Sequence, residues 1–298
     1  MAAKIGEGYS PCLVQDAPRA PPYNRCDSND KKVMLFNPLN TLHMYCGIKV
    51  PASETIEATL KNCDEHVMQP KSSLQFDPKT GMVISPFKEK WMVWKVNKGG
   101  AYLFVPNQRP VVFDQKVEIL HNGYKIKSSA WSRTIVEHEN GAVDFIFETF
   151  LAHNNQEWFV RFETDIDNNG TFYTDLNGFN FDTHKYRSTL PIQAQVFPMP
   201  TLAAIQDNVK RFTVLSEHAQ GTASLGNGMI DVFLDRRLRQ DDNRGLGEGV
   251  MDNVRTKTRL RVVMETNIDF LGEFKPSPFC QQLWDKLNHP VEAFGENI

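Results

Sequence analysis

The sequence has no apolar run long enough to cross a bilayer, since none approaches the roughly 18 uninterrupted apolar residues of a membrane helix. Residues 1–8 also lack the apolar core of a secretory signal. The charge imbalance is small, with 33 Lys and Arg against 36 Asp and Glu. We therefore predict no membrane span and no nucleic-acid partner for this chain.

Metal-binding motifs are scarce as well. The 5 cysteines are unevenly distributed, with Cys280 alone in the C-terminal half, and no Cys-x-x-Cys pair occurs. The 8 histidines are scattered without the spacing of metal ligands. This pattern argues against a structural zinc site and leaves the pairing of any disulfides open.

The first part of the chain changes character near residue 31. Residues 1–30 are polar and rich in proline, which predicts a disordered leader. Residues 31–70 contain two apolar runs, 33–39 and 44–50, and these predict two short strands with a turn between them.

Strand signals dominate residues 71–270. Asn-Gly, the strongest short hairpin signal, occurs five times, with the asparagines at 122, 140, 169, 177 and 227. Residues 271–298 form a tail in which 280–287 is the best candidate for a short helix. The pattern as a whole predicts an all-β sandwich of antiparallel strands.

The segment 234–253 is unusual because it combines arginines, carboxylates and glycines at 245, 247 and 249. Carboxylates can fix the direction of a guanidinium, and glycines allow tight bends and close approach. A solvated turn between two strands is the plain interpretation. A phosphate loop is excluded because no Lys-Ser/Thr follows, and the acidic spacing does not match a calcium loop.

Three further segments accompany this one in a characteristic order: 100–107 (GAYLFVPN), 171–178 (TFYTDLNG) and 190–200 (LPIQAQVFPMP). With these motifs the chain resembles the C-terminal portion of the class II α-mannosidases, glycoside hydrolase family 38, nearest the Golgi α-mannosidase II branch. The resemblance implies a large antiparallel two-sheet sandwich of the mutarotase-like type over 71–270, preceded by the remnant of a truncated small β-sandwich over 31–70.

The resemblance also implies a function. Family 38 enzymes hydrolyse α-linked mannose of N-glycans with a nucleophilic Asp, a second carboxylate and a zinc ion, all in an N-terminal catalytic domain. None of those motifs occurs in this sequence. We therefore assign no catalytic residue and no metal ligand here, expect zinc only in the full-length family enzyme, and predict that this chain alone is inactive.

By motif position, the resemblance implies that Tyr102 and Arg244 contact substrate. A phenol donates to a sugar hydroxyl or carboxylate, and an arginine holds an anionic or hydroxyl oxygen. Asp241 and Asp242 are interpreted as carboxylates that orient Arg244. The simpler alternatives are a core tyrosine in a strand at position 102 and an ordinary salt bridge at Arg244.

Two other features bear on function. Trp91, Trp94 and Trp158 are candidates for stacking on sugar rings, although burial in the sandwich core is favoured. Asn169 begins an Asn-Gly-Thr glycosylation sequon, which suits the Golgi or another secretory lumen implied by the resemblance.

Three functional hypotheses are compatible with the sequence. The chain is part of an α-mannosidase whose partners are mannose-containing N-glycans and a catalytic mannosidase domain. Alternatively, it is a non-catalytic module that binds carbohydrate, a partner mannosidase or a second copy of itself as a homodimer. The third hypothesis is a purely structural remnant.

Overall fold

Strands dominate the computed structural model, which describes residues 9–11, 32–45, 48–59, 73–107, 109–113, 116–252, 254–266, 268, 270 and 272–296. The strands up to residue 127 are β1 (Tyr9–Pro11), β2 (Lys32–Phe36), β3 (His43–Tyr45), β4 (Ile48–Val50), β5 (Thr55–Thr59), β6 (Gln75–Phe76), β7 (Val83–Ser85), β8 (Lys88–Lys95), β9 (Val111–Val112), β10 (Glu118–Leu120) and β11 (Lys125–Lys127).

The remaining elements complete the two larger sheets and the C-terminal region. They are β12 (Trp131–Glu137), β13 (Val143–Thr149), β14 (Gln156–Glu163), β15 (Thr171–Leu176), β16 (Asn180–Lys185), β17 (Phe197–Met199), β18 (Leu202–Gln206), β19 (Lys210–Ser216), β20 (Gln220–Ala223), β21 (Met229–Arg237), β22 (Thr256–Thr266), helix α1 (Pro278–Asn288) and β23 (Glu292–Glu296). Within the described ranges, no helix combines the length and the apolar character that a membrane crossing requires.

The chain divides into two compact units, residues 1–67 with 278–298 and residues 68–277. In the first unit, a sheet in the order β1-β23-β2-β5 packs around Val33 and Leu35. The predicted helix at 280–287 is confirmed by α1. The tail is not a separate segment, however, because β23 pairs with β2 at the centre of this sheet.

Two other expectations for the first unit need correction. The predicted strand 44–50 is instead a small hairpin, because β3 pairs with β4 while β2 pairs with β5. Residues 9–11 form a strand against β23 within the predicted disordered leader, and the rest of that leader lies outside the described residues. The second difference arises from pairing with a distant strand, which local composition does not encode, whereas β3 and β4 pair locally.

The second unit is a sandwich of two antiparallel sheets, which confirms the predicted fold class. Nine strands follow the order β10-β11-β12-β13-β22-β19-β18-β15-β16, and six follow β17-β20-β21-β14-β8-β9. Aromatic rings join their inner faces: Trp91 of β8 stacks on Trp131 of β12 at 4.1 Å, and Phe162 of β14 contacts Phe145 of β13 at 5.2 Å. Burial of such rings is the main stabilising contribution in a sandwich core.

A buried ion pair also joins the two sheets. Arg133 of β12 is completely buried and binds both carboxylate oxygens of Glu89 of β8 at 3.0 Å. It also donates to the carbonyls of Gly81 and Gly123. Because the charges are paired and the remaining donors are satisfied, the desolvation cost of this pair is offset.

Four of the five Asn-Gly pairs connect antiparallel neighbours, as the hairpin signal predicts. They lie between β10 and β11, β12 and β13, β15 and β16, and β20 and β21. Asn169-Gly170 is the exception, because it links β14 of the six-stranded sheet to β15 of the nine-stranded sheet. Its two residues have positive φ, at 45° and 66°, so the pair makes a tight turn without making a hairpin.

Candidate functional site

The turn that carries Tyr102, residues 99–104, is here called the tyrosine loop. The Gly100 amide donates to the Leu103 carbonyl at 3.0 Å and closes the turn. Neither glycine of the loop has room for a side chain: a Cβ on Gly99 would lie 2.3 Å from the Leu103 carbonyl oxygen, and one on Gly100 would lie 2.6 Å from Asp242. The Gly-Gly sequence is therefore needed for close backbone approach.

Asp242 joins the tyrosine loop to the charged segment. Its Oδ2 accepts hydrogen bonds from the backbone amides of Tyr102, at 2.7 Å, and Leu103, at 2.8 Å. Desolvation acts to raise the pKa of Asp242, but hydrogen bonds from these amides and from that of Arg244 outweigh it and hold the pKa below its ordinary value. The ionised carboxylate is thus the form that holds the loop.

Tyr102 itself projects from this turn with 64% of its surface exposed. It lies in a bend between β8 and β9 and in no strand. The alternative of a core tyrosine in a strand is therefore wrong. The backbone of this loop is already held by three hydrogen bonds, one within the turn and two to Asp242. The exposed phenol can therefore bind a ligand with little further loss of loop conformational entropy.

The second loop, residues 239–249, is here called the arginine loop. A bridge between Leu238 and Val250 closes its base. Gly249 is packed so closely that a Cβ would lie 2.3 Å from the Leu238 carbonyl oxygen, whereas Gly245 and Gly247 have open space and positive φ of 103° and 77°. The alternating glycines thus serve both purposes that the sequence suggested, close approach at one end and tight bending at the tip.

Arg244 lies exposed at the tip of the arginine loop, two residues from Asp242. The ion pairs found among the described residues do not include one between Arg244 and either Asp241 or Asp242. The Asp241 carboxylate instead accepts from the Asn243 amide at 3.1 Å. The structure therefore brings the loops of Tyr102 and Arg244 together through Asp242, while the substrate contacts and the orientation of Arg244 by the two carboxylates stay predictions.

Beneath the tyrosine loop lies a pair that the sequence interpretation missed, Glu157 of β14 and Arg236 of β21. These residues are cross-strand neighbours, and Arg236 Nη2 lies 2.8 Å from Glu157 Oε1. Arg236 also donates to the carbonyls of Gly100, at 2.6 Å, and Ala101, at 3.3 Å. Burial raises the pKa of Glu157 to about 7, although Arg236 acts to lower it.

Aromatic side chains support both loops from below. Phe104 of the tyrosine loop contacts Trp94 at 5.7 Å and Phe233 at 5.2 Å between ring centroids. Trp94 in turn belongs to a buried cluster with Leu238, at the base of the arginine loop. Trp91, Trp94 and Trp158 are each 1% exposed, so their predicted burial is confirmed and none of them presents a ring face to a sugar.

The resemblance to family 38 implies a zinc ion, which would need a cluster of metal-binding side chains. Within the part of the chain that the structure describes, no group of three His, Cys, Asp or Glu side chains is arranged to hold a metal. The expectation of zinc concerns the full-length family enzyme and stays a prediction. Asn169, the predicted glycosylation site, lies exposed in the turn before β15.

Comparison with known proteins bears directly on these loops. The model of the "Glycosyl hydrolases family 38 C-terminal domain" matches residues 72–244, a range that includes Tyr102 and ends at Arg244. Alpha-mannosidase 2x of Mus musculus is 40% identical over 185 residues, covering 57% of this chain and 16% of that protein. Alpha-mannosidase 2 of Rattus norvegicus is 35% identical over 218 residues, covering 67% of this chain and 19% of that protein.

The fold agrees with these matches. The crystal structure of an alpha-mannosidase from Enterococcus faecalis V583 superposes with a TM-score of 0.57 at 13% identity, covering 82% of this chain and 35% of that one. The chain thus spans about a fifth or less of the length of the two rodent relatives. It belongs to glycoside hydrolase family 38, as a C-terminal domain of that family near the α-mannosidase II branch.

Proposed function

We propose that this chain serves as the C-terminal β-sandwich of an α-mannosidase that hydrolyses α-linked mannose of N-glycans, and that Tyr102 and Arg244 complete its substrate pocket. The single observation that carries the proposal is the Asp242 clamp, the pair of hydrogen bonds that joins the loops of these two residues. Both side chains lie exposed, outside the sandwich core. A phenol and a guanidinium so presented are suited to bind sugar hydroxyls and a carboxylate.

No step of the hydrolysis is assigned to the described residues. Their part is to bind and orient substrate, and the nucleophile, the acid/base carboxylate and the zinc site would belong to a catalytic domain with which this sandwich associates. Positioning of this kind is worth several orders of magnitude in rate when the geometry is right. We also propose a Golgi or other secretory lumen as the location, supported by the exposed sequon at Asn169.

The proposal is tested in a chimera. Residues 72–244 replace the matching segment of the mouse alpha-mannosidase 2x, and hydrolysis of an aryl α-mannoside is measured. Tyr102→Phe and Arg244→Ala are expected to reduce kcat/KM at least about tenfold. The controls are Tyr186→Phe and Arg187→Ala, which alter the same residue types just after the edge strand β16 and are expected to leave the rate within about twofold of the parent.

Experiments on the isolated chain distinguish the proposed function from the alternative of a non-catalytic carbohydrate-binding module. With zinc added it is expected to release no aryl product, because no nucleophile is assigned to it. If it binds mannose-containing glycans on an array, and loses that binding in Tyr102→Phe or Arg244→Ala while the chimera is indifferent to both, the chain is a carbohydrate-binding module. Turnover by the isolated chain that a chelator abolishes would contradict the assignment of catalysis to another domain.

A further inference from the structure

The ion pair of Glu157 and Arg236 differs from an isolated pair because Arg236 also binds the tyrosine loop. Glu157 is buried, with 4% of its surface exposed, and its partner lies directly opposite on the neighbouring strand β21. Arg236 approaches the carboxylate through Nη2, at 2.8 Å, and directs Nη1 and Nη2 to carbonyls of the tyrosine loop. The guanidinium therefore spans from the sheet to the loop.

A second pair on the same two strands provides the contrast. Arg161 of β14 binds both oxygens of Asp231 of β21, through Nε at 2.6 Å and Nη2 at 2.8 Å. This is the bidentate geometry in which a guanidinium and a carboxylate satisfy each other. In the Glu157 pair, the carboxylate instead leaves donors of Arg236 free to bind the carbonyls of Gly100 and Ala101.

The tyrosine loop is consequently held by a cation at its carbonyl groups and by an anion at its amide groups. Its carbonyls at residues 100 and 101 accept from the Arg236 guanidinium, and its amides at residues 102 and 103 donate to the Asp242 carboxylate. Charge-assisted hydrogen bonds are roughly twice as strong as neutral ones. Together they fix the peptide planes on both sides of Tyr102, and with them the direction of its side chain.

We propose that Arg236 and Glu157 are positioning residues for Tyr102: Arg236 carries the tyrosine loop on the six-stranded sheet, and Glu157 holds the guanidinium in place. Only the consequence for mannose hydrolysis rests on the proposed function. The structural claim is that this pair orders residues 100–103. It concerns the 298-residue chain itself and can be measured without any sugar.

The test is hydrogen exchange of the Tyr102 and Leu103 amides in the full chain. Arg236→Gln is expected to accelerate their exchange by about tenfold, and Glu157→Gln to act in the same direction with a smaller effect. Arg161→Gln breaks the other pair on the same strands and is the matched control, expected to leave both amides within about twofold of the parent. Arg236→Lys, which keeps the charge but loses the fork, is expected to lie between the parent and Arg236→Gln.

Equal exchange in Arg236→Gln, Glu157→Gln and the parent would overturn the proposal, as would equal acceleration by Arg161→Gln. If Arg236→Gln does not fold, the near-isosteric Glu157→Gln decides. The proposed function is judged separately by Tyr102→Phe in the chimera. If that variant keeps the parent rate while Arg236→Gln accelerates amide exchange in the full chain, the substrate contact of Tyr102 is wrong and the positioning role stands.

Discussion

Tyr102 and Asp242 lie 140 positions apart in the sequence, and the backbone amide of the first donates to the carboxylate of the second at 2.7 Å. The bond joins the two loops that carry the proposed substrate-binding side chains. Because it is made by the Tyr102 backbone, the phenol keeps its hydrogen-bonding capacity for a ligand.

Gly100→Ala is expected to destabilise the chain by about 1–3 kcal/mol, because the added methyl would lie 2.6 Å from Asp242 and must displace either loop. Urea unfolding measures the effect. Gly221→Ala is the control, since a Cβ there meets Phe233 at an ordinary 3.5 Å. Equal unfolding free energies for the two variants would mean that the loops yield to the methyl without cost.

Arg244→Ala is expected to reduce the rate of the chimera while leaving the melting temperature of the isolated chain within about a degree of the parent, because the side chain is exposed and surface changes of this kind have small effects. Differential scanning calorimetry and steady-state kinetics measure the two quantities. A matched loss of stability and rate would instead indicate a structural role for the guanidinium.

Glu157 is expected to make stability depend on pH. Its pKa is about 7 in the folded protein against 4.5 ordinarily, so between these values the folded protein holds a proton that the unfolded chain has released. Its contribution to the unfolding free energy therefore falls as pH rises through this window, by on the order of 3 kcal/mol in total, and is constant above it.

Glu157→Gln isolates this effect because glutamine does not titrate. The unfolding free energy of the variant minus that of the parent is expected to rise between about pH 5 and pH 7 and then to level off, as measured by urea unfolding at several pH values. A difference that stays flat across the window would show that Glu157 has an ordinary pKa.

Asn169 is expected to carry an N-glycan when the chain is expressed through a secretory pathway, because the sequon side chain is exposed in a turn. Electrophoresis with and without glycan removal measures it, and Asn169→Gln is expected to abolish the shift. Asn177→Gln, in a turn of similar conformation without a sequon, is the control and is expected to retain it. An unshifted parent band would contradict the assignment.

Local patterns in the sequence were sufficient for much of the second unit. The Asn-Gly signals predicted the β12–β13 and β10–β11 hairpins, because hairpin contacts are close in sequence. The same locality explains the error at Asn169-Gly170, whose tight turn is real but connects two different sheets. Motif resemblance singled out Tyr102 and Arg244 as candidate substrate-binding residues, but it gave no indication of what joins their loops.

Only the tertiary structure decided which residues surround those two. Glu157 and Arg236 carry no motif, and their pairing follows from the register of β14 against β21, while Asp242 meets the tyrosine loop only once the sandwich has folded. Likewise, β23 enters the first sheet from the far end of the chain. The sequence by itself determined strands, turns and family, since these depend on nearby residues; the clamp on Tyr102 depends on contacts between residues 79 to 140 positions apart, which only the fold creates.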